Sequence, residues 1–134
     1  MAQGFPLYGS VHDQVVQQVA SQLNAVDPGY VTFTNEPLQT YPMKHDEKTY
    51  WPDTVTVRIS DWQVTGLIEV ETAETVGVES AKQWRNYKAI ADRNSCDFCL
   101  LVPEGYRALA LLNVGYSTQI FEYGFTPDGS FYIL

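Results

Sequence analysis

Two glutamates separated by one residue interrupt an otherwise apolar run, Gly66-Leu67-Ile68-Glu69-Val70-Glu71, and no other feature constrains this chain as strongly. A β-strand sends alternate side chains to opposite faces, so Glu69 and Glu71 share one surface while Ile68 and Val70 share the other. Upstream, Pro52-Asp53 leads into the alternating run Thr54-Val55-Thr56-Val57-Arg58-Ile59-Ser60, where Asp53 has the parity of Val55, Val57 and Ile59. Pairing of the two runs as a hairpin across Asp61-Trp62 brings three carboxylates together. Like charges roughly 4 Å apart repel by about 4 kcal/mol at an effective dielectric near 20. Such a cluster requires a compensating cation, and a divalent metal is the natural candidate.

The 134 residues fit one domain spanning 1–134, long enough to bury a core without disulfide or metal staples. The segment Met1-Ala2-Gln3-Gly4-Phe5-Pro6 lacks a basic stretch followed by an apolar run, and no stretch reaches the roughly eighteen apolar residues of a membrane span. A soluble, cytoplasmic protein with no membrane partner is expected. Cys96 and Cys99 form a C-x-x-C, but an odd offset along a strand sends them to opposite faces. A zinc site would need a second pair of ligands, and only His12 and His45 are on offer, so the cysteines read as small strand residues.

A formal net charge of −8 argues against nucleic-acid binding by bulk electrostatics. The distribution softens this, because Lys82, Arg85, Lys88 and Arg93 are half of the eight basic residues and fall close together. A solvated helix face and a track for a phosphate backbone both fit that cluster. Nine tyrosines and three tryptophans supply aromatic surface suited equally to protein contacts and to base stacking.

Ser10 to Asn24 reads as a helix, with Ser10 and Asp13 in capping-box spacing and Val11, Val15, Val16, Val19 and Leu23 as its apolar stripe. Tyr30 to Thr34 has strand propensity. The polar and aromatic stretch from Asn35 to Trp51 is long for a loop, which makes it either a flap over a site or the cover of an unrecognised strand. After the hairpin of Thr54–Ser60 and Gln63–Glu71 come a helix from about Thr75 to Arg93 and an apolar strand from Asp97 to Val102. A short helix from Tyr106 to Asn113 stopped by Gly115, a strand from Thr118 to Phe125, and a turn at Pro127-Asp128-Gly129-Ser130 before a last edge strand complete the chain. The expected fold class is α/β in the broad sense, an α+β mixed sheet flanked by helices.

Pro52-Asp53, Glu69-Val70-Glu71 and Gln83-Trp84-Arg85-Asn86-Tyr87 together resemble the PD-(D/E)XK nuclease superfamily, nearest to its RecB-type branch with Q-x-x-x-Y. The resemblance implies a restriction-endonuclease-like core of helix, three strands, helix and strand, here with a C-terminal helix and strands. It further implies Mg²⁺ or Mn²⁺ held by Asp53 and Glu69, with Glu71 completing the ligands or accepting a proton from the attacking water. Gln83 and Tyr87 then position the scissile phosphate or Glu69, while Arg85, Lys88 and Lys82 contact substrate. The helical wheel places Gln83 with Val76, Trp84, Tyr87, Ile90 and Ala91 on the sheet-facing side, and Lys82, Arg85 and Arg93 on the other. The chain departs from the family where Glu71 replaces the strand lysine; Lys82, beside Gln83, is the one candidate for a migrated lysine. RecB-type nucleases also carry Gly and His at the first helix, and Gly9-Ser10-Val11-His12 is one residue short of that spacing. His12 is therefore either a site residue or a hydrogen-bonded core histidine.

By this resemblance the chain is a metal-dependent nuclease of DNA or RNA. Two alternatives stay open. The same fold without turnover would make a binding or assembly module for a protein partner or a second copy of the chain. An unrelated α+β binding protein would carry Glu69 and Glu71 as an ordinary solvated strand face, and Asp53, Glu69 and Gln83 would then fail to converge.

Overall fold

The N–H of Asp13 bonds the Ser10 hydroxyl at 3.2 Å, and this cap opens α1 (Val11–Val26). The computed structural model describes residues 10–114 and 118–134. After α1 come β1 (Tyr30–Thr34), β2 (Met43–His45), β3 (Lys48–Tyr50), β4 (Thr54–Arg58), β5 (Gln63–Val70), α2 (Val78–Arg93), β6 (Asp97–Pro103), α3 (Arg107–Val114), β7 (Gln119–Phe125) and β8 (Phe131–Ile133). The helix stop expected at Gly115 and the Gly9 of the N-terminal motif lie outside the described residues.

Six strands form one mixed sheet in the order β1-β4-β5-β6-β7-β8. β1, β4 and β5 are antiparallel neighbours, the β5–β6 and β6–β7 pairs are parallel, and β8 returns antiparallel. Parallel neighbours need crossovers, which α2 and α3 supply on a common face of the sheet. There Trp84, Tyr87, Ile90 and Ala110 share a core with Val55, Leu67, Leu100 and Ile120. α1 covers the opposite face by packing Val15, Val16 and Val19 with Val70, Leu101 and Tyr123. The architecture is thus a mixed α+β sheet with helices on both faces. Among the described residues no helix is long and apolar enough to cross a membrane.

The β4–β5 ladder slips by one residue, because Thr56 pairs with Gly66 while Val57 pairs with Val64. Thr65 is the extra residue of this bulge. Val64 and Leu67 consequently both enter the α2-side core although they are three residues apart. Glu69 follows Leu67 on that side, while Ile68 and Val70 pack toward α1. α2 begins later than expected because a turn occupies the residues before it: the Thr72 N–H bonds Thr75 Oγ1 at 2.8 Å and the Val76 N–H bonds the Thr72 carbonyl at 3.1 Å.

The long stretch after β1 holds two strands, β2 and β3, paired as a small hairpin of their own. Asp46 (φ 50°) and Glu47 (φ 65°) form its tight turn, and positive φ at both central positions is the geometry that matches strand twist. Met43 joins the α2-side core, and Tyr50 meets Tyr87 edge-on at 5.9 Å between ring centres. The hairpin is fastened to the sheet by Asn35, which is only 2% exposed. Its amide nitrogen donates to the carbonyls of Tyr41 (3.0 Å) and Pro52 (2.6 Å), and its oxygen accepts from the N–H groups of Thr40 (2.8 Å) and Tyr41 (2.7 Å). Removing a buried amide strands these backbone groups at about 1–3 kcal/mol for a net unsatisfied group. Asn35→Ala is expected to lower unfolding free energy by roughly 2–3 kcal/mol in urea titrations; a loss below about 0.5 kcal/mol would contradict this bracing role.

Candidate functional site

Asp53 immediately precedes β4, where the end of β5 and the first turn of α1 meet, and its N–H, its carbonyl and its Oδ2 are all bonded. Its N–H donates to Glu69 Oε1 at 2.8 Å, and its carbonyl accepts the Asn35 N–H at 3.1 Å. Its Oδ2 accepts the Val70 N–H at 2.7 Å and bonds His12 Nε2 at 3.0 Å. Asp53 and Glu69 thus meet, as their parity along the two strands implies. His12 lies in the first turn of α1, half-buried, with Nδ1 3.3 Å from Asp13 Oδ1. It faces a carboxylate rather than the apolar core.

The sequence gives no motif for the next neighbour. Glu36, in the segment after β1, brings a carboxylate into a group with His12 and Asp53 in which one ligand atom from each lies within 4.8 Å of the others. Its carbonyl accepts the amide of Gln17 from α1, which also reaches Thr34 Oγ1 at 3.3 Å. The adjacent Asn35 is fixed to the Pro52 carbonyl. Two braces thereby fix where Glu36 enters the site. Only the unusual length of the connecting stretch marks this region in the sequence.

Glu71 shares the α2 side of the sheet with Glu69 but is held differently. Trp84 Nε1 donates to its Oε2 at 2.8 Å, and its carbonyl accepts the Tyr123 hydroxyl at 2.9 Å. Glu71 is therefore not a member of the His12, Glu36 and Asp53 group, and the compact donor set differs from the three acids expected. Gln83 corrects another expectation. The helical wheel puts it on the sheet-facing side, yet the residue is exposed, and its amide donates to the Tyr87 hydroxyl at 2.9 Å. Position 83 is the outer margin of the stripe formed by buried Trp84 and Tyr87, and its amide is bonded to the Tyr87 hydroxyl, which lies in the field of Glu69. Lys88 is tied to Asp92 at 2.6 Å, while Lys82 and Arg85 are exposed on α2. Cys96 and Cys99 are free thiols, both pushed up to about 11 by burial, which keeps them protonated near neutral pH.

Electrostatics follow from crowding acids around one imidazole. Burial raises the Glu69 carboxyl well above the usual range, and the charge of Asp53 pushes it further. Glu71 is also raised by burial, against the opposing hydrogen bonds of Thr75 and Trp84. Glu36 is raised by burial and then by the charges of Asp13 and Asp53. For Tyr87, burial and the nearby Glu69 charge hold the phenol protonated. Burial disfavours the His12 imidazolium, but its hydrogen bond to Asp53 and that residue's charge win, with Asp13 and Glu36 helping, and its pKa rises to about 9. An excess of acid over cation, with one imidazole among the donors, fits a divalent metal.

No protein-family model matches this chain, and no curated protein or solved structure is detectably similar to it.

Because His12 titrates higher in the folded protein than its ordinary 6.5, the His12–Asp53 pair stabilises the fold fully below about pH 6.5 and loses that contribution as pH rises through about 9. In chelator, wild-type unfolding free energy should therefore decline across this window relative to His12→Gln. Parallel pH profiles for the two proteins would contradict the ion pair.

Proposed function

We propose that the chain is a metal-dependent phosphodiesterase acting on DNA or RNA, built on a restriction-endonuclease-like core of the PD-(D/E)XK type. The observation that carries this proposal is the junction of Asp53 with Glu69, 2.8 Å from N–H to carboxylate, beside the His12 imidazole at the carboxyl end of β5. Crevices at the carboxyl ends of strands are where open sheets with parallel strands bind ligands. The succession α1, β1, β4, β5, α2, β6 is consistent with helix, three strands, helix and strand, with β2 and β3 as an insertion.

His12 and Asp53, with neighbouring carboxylates, would hold the cation, Mn²⁺ or Mg²⁺ by the family resemblance, with the imidazole favouring Mn²⁺ of the two. When bound, the ion supplies Lewis-acid polarisation of a phosphate oxygen and of the attacking water. The Val70 N–H fixes one Asp53 oxygen, so the carboxylate is oriented before any ligand arrives. Glu71, raised by burial toward the working pH and anchored by the Trp84 indole, is suited to accept the proton of that water. Tyr87 stays protonated beside Glu69, and its hydroxyl with the Gln83 amide offers donors to a phosphate oxygen or to Glu69. Exposed Lys82 and Arg85 on α2 present charge to a nucleic-acid backbone, as does Lys88 if its bond to Asp92 opens.

Glu71 in place of the strand lysine, together with the net charge of −8, favours a second role: a module that keeps the cation site without turnover and binds a protein partner or another copy of itself. Nuclease assays with Mn²⁺ or Mg²⁺ on single- and double-stranded DNA and RNA separate the two. The catalytic proposal expects cleavage by the wild type that drops by at least about 100-fold in Asp53→Asn. Equal cleavage by both proteins would overturn it, and metal binding without any cleavage would establish the binding module.

A further inference from the structure

We infer that Glu36 is a metal ligand, and that His12, Glu36 and Asp53 form one nitrogen-and-oxygen donor set that prefers Mn²⁺ or Zn²⁺ over Mg²⁺ and Ca²⁺. This rests on the region around His12 and Asp53 being a cation site. Bonds of about 2.1 Å put neighbouring ligands of one ion about 3 Å apart and opposite ones about 4.2 Å apart. The three donor atoms, all within 4.8 Å of one another, need side-chain adjustments of about 1 Å or less per residue to meet that geometry.

The other acids are less available. Glu69 and Glu71 lie outside the group whose donor atoms are within 4.8 Å of one another, and one Glu69 oxygen accepts the Asp53 N–H. Glu71 Oε2 is held by the Trp84 indole. Glu36 is half-buried; its carbonyl accepts the Gln17 side-chain amide, and the N–H of the preceding Asn35 donates to the Asp53 carbonyl. Those bonds hold the residue beside the site while leaving the carboxylate to coordinate. The three ligands come from three separate elements, α1, the segment after β1, and the start of β4. Coordination therefore joins parts of the chain that the sequence keeps far apart.

Ion preference follows from the donors. Mg²⁺ and Ca²⁺ take oxygen ligands almost exclusively, whereas imidazole suits the transition metals, and affinity of a mixed site rises along that series from Mn²⁺ toward Zn²⁺. Replacing a strand acid by His12 in the donor set thus shifts the choice away from the alkaline-earth ions.

Thermal unfolding of the metal-free full chain, titrated separately with MnCl₂, ZnCl₂, MgCl₂ and CaCl₂, tests this in the wild type, Glu36→Gln and Glu69→Gln. The expected result is a rise in Tm for the wild type with Mn²⁺ and Zn²⁺ at concentrations at least tenfold below those at which Mg²⁺ or Ca²⁺ acts. Glu36→Gln should weaken the Mn²⁺ response at least tenfold, and Glu69→Gln by less. A Glu36→Gln titration matching the wild type would overturn the ligand while leaving the cation site standing. Equal responses to Mg²⁺ and Mn²⁺ would overturn the preference, and no response to any ion would overturn the site itself. Should Glu36→Gln fail to fold, Glu36→Asp, which keeps the charge but withdraws it by one methylene, is held to the same tenfold criterion.

Discussion

Asp53 is the point on which the rest of the molecule converges, because one residue ties together α1, β1, β4 and β5. Its carbonyl continues the β1 edge through Asn35, its N–H holds Glu69, and its carboxylate receives both the Val70 N–H and the His12 ring. Each bond satisfies a group that would be costly to bury alone. The same bonds gather negative charge into a partly dry corner, where it raises the Glu69 carboxyl and the His12 imidazole together. Structure and electrostatics at this corner are therefore one problem: in the metal-free protein His12 is the cation the chain supplies to it, and a coordinated metal would displace its proton.

The scaffold explains why the corner holds its shape. Val15, Val16 and Val19 press α1 onto one face of the sheet, fixing the helix end that presents His12. On the other face Trp84 does two things at once: it fills the core without exposure and turns its N–H to Glu71. Tyr87 likewise packs with Tyr50 of the β2–β3 hairpin while its hydroxyl lies in the field of Glu69. Apolar burial thus positions polar groups that could not hold such a crowded arrangement unaided.

Much of this was legible from local pattern. The valine stripe of α1, the alternation from Thr54 onward and the apolar run of β6 each follow a single period, and the structure keeps them to within a few residues. The shared face of Glu69 and Glu71 was also readable, since the bulge at Thr65 lies upstream of both. What escaped depends on contacts distant in sequence or on backbone that its residues disguise. The β2–β3 turn uses Asp46-Glu47 where glycine would have announced positive φ. Glu36 enters the site through bonds from Gln17 and Asn35, and nothing local to Glu36 encodes that placement. Gln83 is exposed where the wheel places it inward, because one residue's rotation at the margin of a helical stripe decides between packing and exposure, a distinction finer than the wheel resolves.

Whether this corner is a metal centre with a histidine ligand is tested most directly by pulsed electron paramagnetic resonance of the protein loaded with substoichiometric Mn²⁺. Bound Mn²⁺ whose echo carries nitrogen modulation from one imidazole, lost in His12→Gln, is the predicted result. Mn²⁺ that remains free, or binds without any nitrogen coupling, would contradict it.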